Sequence, residues 1–209
     1  MKLKQNIIVV LLSLILCLIT VVIVRSSFQE TYASQYAEGK KANEGKLDQI
    51  VEILTDAGTI INKSSINIPK EGDQYATISV DRVNFEKPVY YGDNDGILEI
   101  GIGHYMKSGL PGEGKPILLA GHNGTHFWKL QDMKKDDIVK INTSWGEYTY
   151  KIYDIQIMGA KDFDTSQLND EEERLIMYSC YPFDVPSTPT RYFVYASKVS
   201  GPILRGDTK

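Results

Sequence analysis

The sequence predicts a mainly β domain, a closed or nearly closed barrel with short helices, preceded by an N-terminal transmembrane helix. Residues 7–24 (IIVVLLSLILCLITVVIV) form an uncharged apolar run, long enough to cross a hydrocarbon core as a helix. From about Tyr75 onward, short β-rich runs recur with Gly, Asp and Pro between them, the pattern of many short strands in one barrel. A chain of 209 residues holds one such domain comfortably.

Lys2 and Lys4 precede the apolar run and Arg25 follows it. The basic residues and the amino terminus ahead of the span favour a cytoplasmic start, with the rest of the chain outside. The run is long for the core of a signal peptide, and Arg25-Ser26-Ser27-Phe28 lacks a small-x-small cleavage pattern. An uncleaved, single-pass anchor in the cell membrane is therefore expected. Residues 26–46 are polar and read as a stalk. Across 47–61, apolar residues at Leu47, Ile50, Val51, Leu54 and Ala57 have helical spacing, which Gly58 ends. The expected boundaries are 1–25 for tip and anchor, 26–66 for stalk and juxtamembrane helix, 67–203 for the barrel and 204–209 for a tail.

The period changes at Ala76-Thr77-Ile78-Ser79-Val80, which alternates as a strand. Pro88 to Tyr91 leads into the turn signal Gly92-Asp93-Asn94-Asp95-Gly96. Further strands are predicted at 116–120, 138–141, 147–157, 175–179 and 192–197, with 142–146 as a hairpin turn. One short helix is expected after Asp164, with the acidic run Asp170 to Glu173 in its first turn.

The formal net charge of -4 argues against a nucleic-acid partner. The two cysteines are Cys17, inside the apolar run, and Cys180. The outer domain therefore has a single thiol and no internal disulfide framework, and a lone external thiol is either buried or used.

Two segments carry chemistry. In Leu118-Leu119-Ala120-Gly121-His122-Asn123, an apolar strand ends and delivers a histidine. In Ile176-Met177-Tyr178-Ser179-Cys180-Tyr181-Pro182, another delivers a cysteine before a proline, and Arg191 later opens the strand of Tyr192 to Ala196. A thiol attacks an amide as thiolate, so it needs an imidazole or another cation nearby. A tetrahedral intermediate needs donors, and arginine offers several in a fixed fork. Composition makes these three residues available without assembling them.

In that order, Gly121-His122-Asn123, Tyr178 to Pro182 and Arg191-Tyr192-Phe193-Val194-Tyr195-Ala196 resemble the His, Cys and Arg blocks of the sortases. Gly103-His104-Tyr105 through Leu110-Pro111-Gly112-Glu113 is similar to the same family. The resemblance spans about 75–200, and Cys-Tyr-Pro-Phe, the short interval to Arg191 and the single anchor look most like class D. It implies an eight-stranded sortase barrel and a transpeptidase cleaving a Leu-Pro-x-Thr-Gly-like signal between Thr and Gly. Cys180 would carry the thioester, His122 would move the protons and Arg191 would support the oxyanion. His104, Ser179 and Tyr181 would lie near the bound peptide. The implied partners are surface proteins bearing that signal and a cell-wall amine. This chain has Ile176-Met177-Tyr178-Ser179-Cys180 where Thr-Leu-x-Thr-Cys is usual; Ser179 keeps the hydroxyl and Ile176 does not.

Other readings stay open at this point: a silent surface module that binds peptides, or a hydrolytic cysteine peptidase on the same fold. His126 stands four residues after His122, but the turn former Asn123-Gly124 separates them and no helical zinc pattern is present. No cofactor is expected, and calcium has no ligand pattern to support it. Trp128 and Trp145 read as packing residues.

Overall fold

A computed structural model of the chain describes residues 58–206 apart from 184 and 186. The expected anchor and the helix before Gly58 lie outside the described residues, as does most of the stalk. The described elements begin with β1 (Ile60–Asn62), β2 (Gln74–Val80), β3 (Phe85–Tyr91), a short helix α1 (Asp95–Ile100) and β4 (Ile102–His104). They continue with β5 (Ile117–Ala120), β6 (Ile138–Thr143), β7 (Gly146–Gly159), β8 (Arg174–Tyr181), β9 (Thr190–Ser200) and β10 (Ile203–Arg205).

Eight of these strands close a barrel in the order β2-β3-β4-β5-β8-β9-β7-β6, with β6 returning to β2. The neighbours are antiparallel except β3 with β4 and β5 with β8. Closure removes the free edges that an open sheet would leave. β1 and β10 stand apart as a parallel pair, Ile60 opposite Ile203.

Alternation places the core. Ile78 and Val80 of β2, Val139 and Ile141 of β6, and Tyr148, Tyr150 and Ile152 of β7 all point inward and are buried. β5 and β8 are buried on both faces. Ile117, Leu119, Leu175 and Met177 join the barrel interior. Leu118 and Ile176 face outward with Phe193 and Tyr195 of β9 into a second apolar layer. The connection after β7 covers that layer with Leu168 and with Phe163, whose ring stacks on Phe193 at 4.8 Å. Burial on both sides explains why these two strands read as unbroken apolar runs.

Three local expectations are corrected. The segment 92–96 is more than a turn, because the Asn94 side chain accepts from the Ile97 N–H and starts α1. That helix carries the chain across to β4, which must run parallel to β3. The helix after Asp164 is a 3-10 turn, Thr165–Asn169, and it ends before the acidic run. Glu173 is accordingly not solvated. It is 8% exposed and accepts from the N–H groups of Gly112 and Gly114, from the Tyr150 hydroxyl at 2.7 Å and from Lys198 at 3.2 Å. A buried carboxylate persists when its lone pairs are matched in this way.

Candidate active site

The site is built where β5, β8 and β9 end. Ala120 is level with Tyr178 in the parallel β5–β8 register, and Cys180 is level with Arg191 in the antiparallel β8–β9 register. Directly opposed residues share a face of the sheet. Met177 packs into the barrel, so Tyr178 and Cys180 alternate along the outer face, and Arg191 joins them there.

Past Ala120 the chain turns at Gly121. A Cβ there would meet the Phe127 ring at 2.7 Å, so only glycine lets the fully buried Phe127 sit beneath the loop. The Phe127 N–H donates to the His122 carbonyl at 3.0 Å and folds the loop back, leaving His122 exposed. The Ser179 hydroxyl, hidden from solvent, donates to the Gly121 carbonyl at 2.6 Å. Each strand end thus fixes the other.

On the far side, the Asn123 side-chain amide donates to the carbonyls of Pro182 and Val185, both at 2.9 Å. The Tyr181–Pro182 peptide bond is cis. The Thr188 hydroxyl donates to the Tyr181 and Thr190 carbonyls, and Arg191 Nη1 donates to the carbonyls of Thr188 and Thr190. One guanidinium nitrogen is therefore engaged in orienting the side chain. Burial pushes the Tyr178 phenol above its ordinary pKa, so it stays a neutral donor beside Cys180.

His122, Cys180 and Arg191 line one groove of about 510 Å3, with residues 123–125, Ser187 and Thr188 completing the wall. Cys180 is a half-buried free thiol. The thiol, the imidazole and the guanidinium thus open onto one space, a set suited to nucleophilic attack on a carbonyl with support for its oxygen. Among the described residues no group of three His, Cys, Asp or Glu is placed to hold a metal.

None of the three other residues expected near a bound peptide lines this groove. His104 is fully buried inside the barrel. Its Nδ1 meets the Tyr75 hydroxyl at 2.6 Å and its Nε2 the Ser108 hydroxyl at 3.2 Å. Burial lowers its pKa to about 4, so the imidazole is neutral at physiological pH. Ser179 supports the site from within the barrel. Tyr181 lines an adjoining cavity with Trp128 and Phe183.

Trp145 is the packing residue expected, stacked on Tyr75 at 5.9 Å with its indole N–H on the Pro111 carbonyl. Trp128 is not, since it is 44% exposed. Asn123, read from the sequence as a turn former, was missed as the tie between the loops bearing His122 and Cys180. His126 contacts the Glu99 carbonyl through Nε2.

Residues 78–199 match the family model described as the sortase domain. Over 140 residues the chain is 35% identical to Sortase D of Bacillus subtilis, covering 66% of this chain and 70% of that protein. A Clostridium perfringens sortase D5 transpeptidase is similar in structure, with a TM-score of 0.58 and 25% identity over 66% of this chain and 86% of its own. A lid mutant of Sortase A from Corynebacterium diphtheriae gives a TM-score of 0.57 and 27% identity, over 63% and 73% of the two chains.

Proposed function

The chain belongs to the sortase family of transpeptidases, and from that premise we propose that it joins surface proteins to an amine of the cell wall, with Cys180 as nucleophile. The observation that carries this reading is the shared groove, in which Cys180 and Arg191 stand opposite each other and His122 forms the neighbouring wall. The Cys180 sulfur attacks the threonine carbonyl of a Leu-Pro-x-Thr-Gly-like signal. Arg191, held by two backbone carbonyls, presents its remaining donors to the oxygen as charge develops. His122 gives a proton to the departing glycine amine, and the acyl group stays on sulfur as a thioester. An incoming amine then loses its proton to His122 as it forms the new amide. Residues 7–24 would anchor the protein in the cell membrane with the barrel outside, next to both substrates.

The test is capture of the thioester. Incubation with a Leu-Pro-x-Thr-Gly peptide is expected to give a covalent adduct of acyl-peptide mass on Cys180, released by hydroxylamine. Cleavage by Cys180→Ala at the parent's rate would refute the mechanism. Product masses with and without glycine peptides or diaminopimelate separate transfer from hydrolysis. A Cys180 inert to methanethiosulfonate, with peptide binding retained, would instead mark a silent binding module.

A further inference from the structure

The loop between β3 and α1 sets a carboxylate on the same outer face that carries Cys180. Gly92 pairs with His104, its N–H donating to the His104 carbonyl at 3.0 Å. Asn94 then caps α1, and its side-chain amide donates to the Glu71 carboxylate at 2.8 Å. Asp93 is fixed from both sides and lies over β4, where a Cβ on Gly103 would come within 3.0 Å of the Asp93 Cα. Gly103 is opposite Ala120, Ala120 is level with Tyr178 and Tyr178 is opposite Phe193, so these four share one face. Neighbouring strands stand about 4.8 Å apart, which puts Gly103 about 10 Å from Tyr178. Only the Ala120 methyl stands between them in that row.

Asp93 is half-buried, and among the described residues no lysine or arginine pairs with it. Burial, and then the Glu71 carboxylate, raise its pKa, as befits a carboxylate with no cation beside it. Its charge reaches the groove. After burial, Asp93 does most to raise the pKa of the Tyr178 phenol, ahead of the opposing Arg191 guanidinium and of Cys180. Around Tyr178 the carboxylate therefore outweighs the guanidinium, whereas Cys180 has Arg191 directly opposite in register. The outer face is positive where the carbonyl reacts and negative one step down β8.

A signal that acylates Cys180 has its leaving amine at His122, so its acyl part extends away from the His122 loop and down β8 toward Tyr178. Cys180 and Tyr178 are two residues apart on one strand, about 7 Å, and an extended peptide advances about 3.4 Å per residue. The residue before the threonine then falls between these two levels, where a long side chain reaches Asp93. We propose that Asp93 selects a basic side chain, lysine or arginine, at this variable position of the sorting signal. The inference rests on the transpeptidase reading of Cys180. A cation there gains the attraction of Asp93 and the face of the Tyr178 ring, and a carboxylate there is repelled.

The experiment uses the full chain in detergent micelles at neutral pH, with three peptides, Leu-Pro-Lys-Thr-Gly, Leu-Pro-Gln-Thr-Gly and Leu-Pro-Glu-Thr-Gly, and reads kcat/KM for cleavage by mass spectrometry. The parent is expected to favour the lysine peptide over the glutamate peptide by about tenfold or more at low salt. The gap should narrow in about 1 M salt, where the Debye length falls to about 3 Å. Asp93→Asn, which keeps the shape of the side chain, should bring the two peptides within threefold of each other. Asp93→Lys should reverse the order, a result that a purely structural role does not produce. A parent ratio of lysine to glutamate within twofold overturns the proposal. So does a ratio unchanged in Asp93→Asn, or an equal loss for all three peptides in both variants. If the parent forms no hydroxylamine-releasable adduct with any of the three, the underlying reading fails, and the inference with it.

Discussion

His104 and His122 mark two regions that use one side chain in opposite ways. His104 ends β4 inside the barrel, ringed by Tyr75 and Tyr91, with each ring nitrogen facing a hydroxyl. His122 stands just past β5 on an exposed loop, at the wall of a groove that also holds a thiol and a guanidinium. In the barrel, burial keeps an imidazole neutral and makes it a packing and hydrogen-bonding piece. At the strand end, the imidazole is exposed on the wall of the groove, where the proposed mechanism needs it. Burial inside the barrel or exposure on a loop beyond a strand end separates the two, and sequence proximity to a motif does not.

Exchanging the consequences of the two histidines gives the largest expected effect. His122→Ala should lower kcat by about 10²–10⁴-fold with little change in melting temperature. His104→Ala should leave kcat/KM within a few-fold once folded protein is compared, yet cost about 2–4 kcal/mol in urea unfolding through lost packing and an unmatched Tyr75 hydroxyl. If His104→Ala lost activity without losing stability, the contrast would collapse.

Acid sharpens the same comparison. The folded pKa of His104 is about 4, below the ordinary 6.5. Above pH 6.5 both folded and unfolded states hold it neutral, and its full stabilisation is present. As pH falls from 6.5 toward 4, the unfolded chain binds a proton that the native barrel refuses. Stability is lost across that window, by up to about 3 kcal/mol from this group. Urea titrations at pH 7 and 4.5 should show His104→Gln losing less over this interval than the parent.

Two smaller effects locate the boundary between the regions. Glu173→Ala leaves Lys198, Tyr150 and the Gly112 and Gly114 N–H groups without their shared acceptor, and about 3 kcal/mol of stability should go with it. Ser179→Ala removes one buried bond to Gly121. It should cost about 1 kcal/mol, together with a few-fold drop in kcat, because that bond joins the two strand ends. A kcat unchanged in Ser179→Ala would show that the loop of His122 needs no such tie.

Much of this could be read in the residues. β5 and β8 stood out as apolar runs, the β6–β7 hairpin through its turn at 142–146, and the three side chains that share the groove through their blocks. What was hidden depends on topology. Three-residue β4 carries no period, and α1 is short and opens on Asp95-Gly96, which read as a turn. Asn123 reads as a turn former until the loop after Cys180 is folded over it. Glu173 sits in a run of four acids, and its donors come from segments distant in the chain: the Gly112 and Gly114 N–H groups, the Tyr150 hydroxyl and Lys198. The placing of His122 and Cys180 on one groove required the parallel pairing of β5 with β8, strands far apart in the chain.

The parallel pair of β1 and β10 couples the two ends of the domain. The Ile203 N–H donates to the Thr59 carbonyl, and the Leu204 N–H to the Gly112 carbonyl beside the Glu173 network. A pull on the amino-terminal side would therefore load these few bonds in shear before reaching the barrel. Trimming the chain back to Pro202 would unfasten its beginning as well as its end.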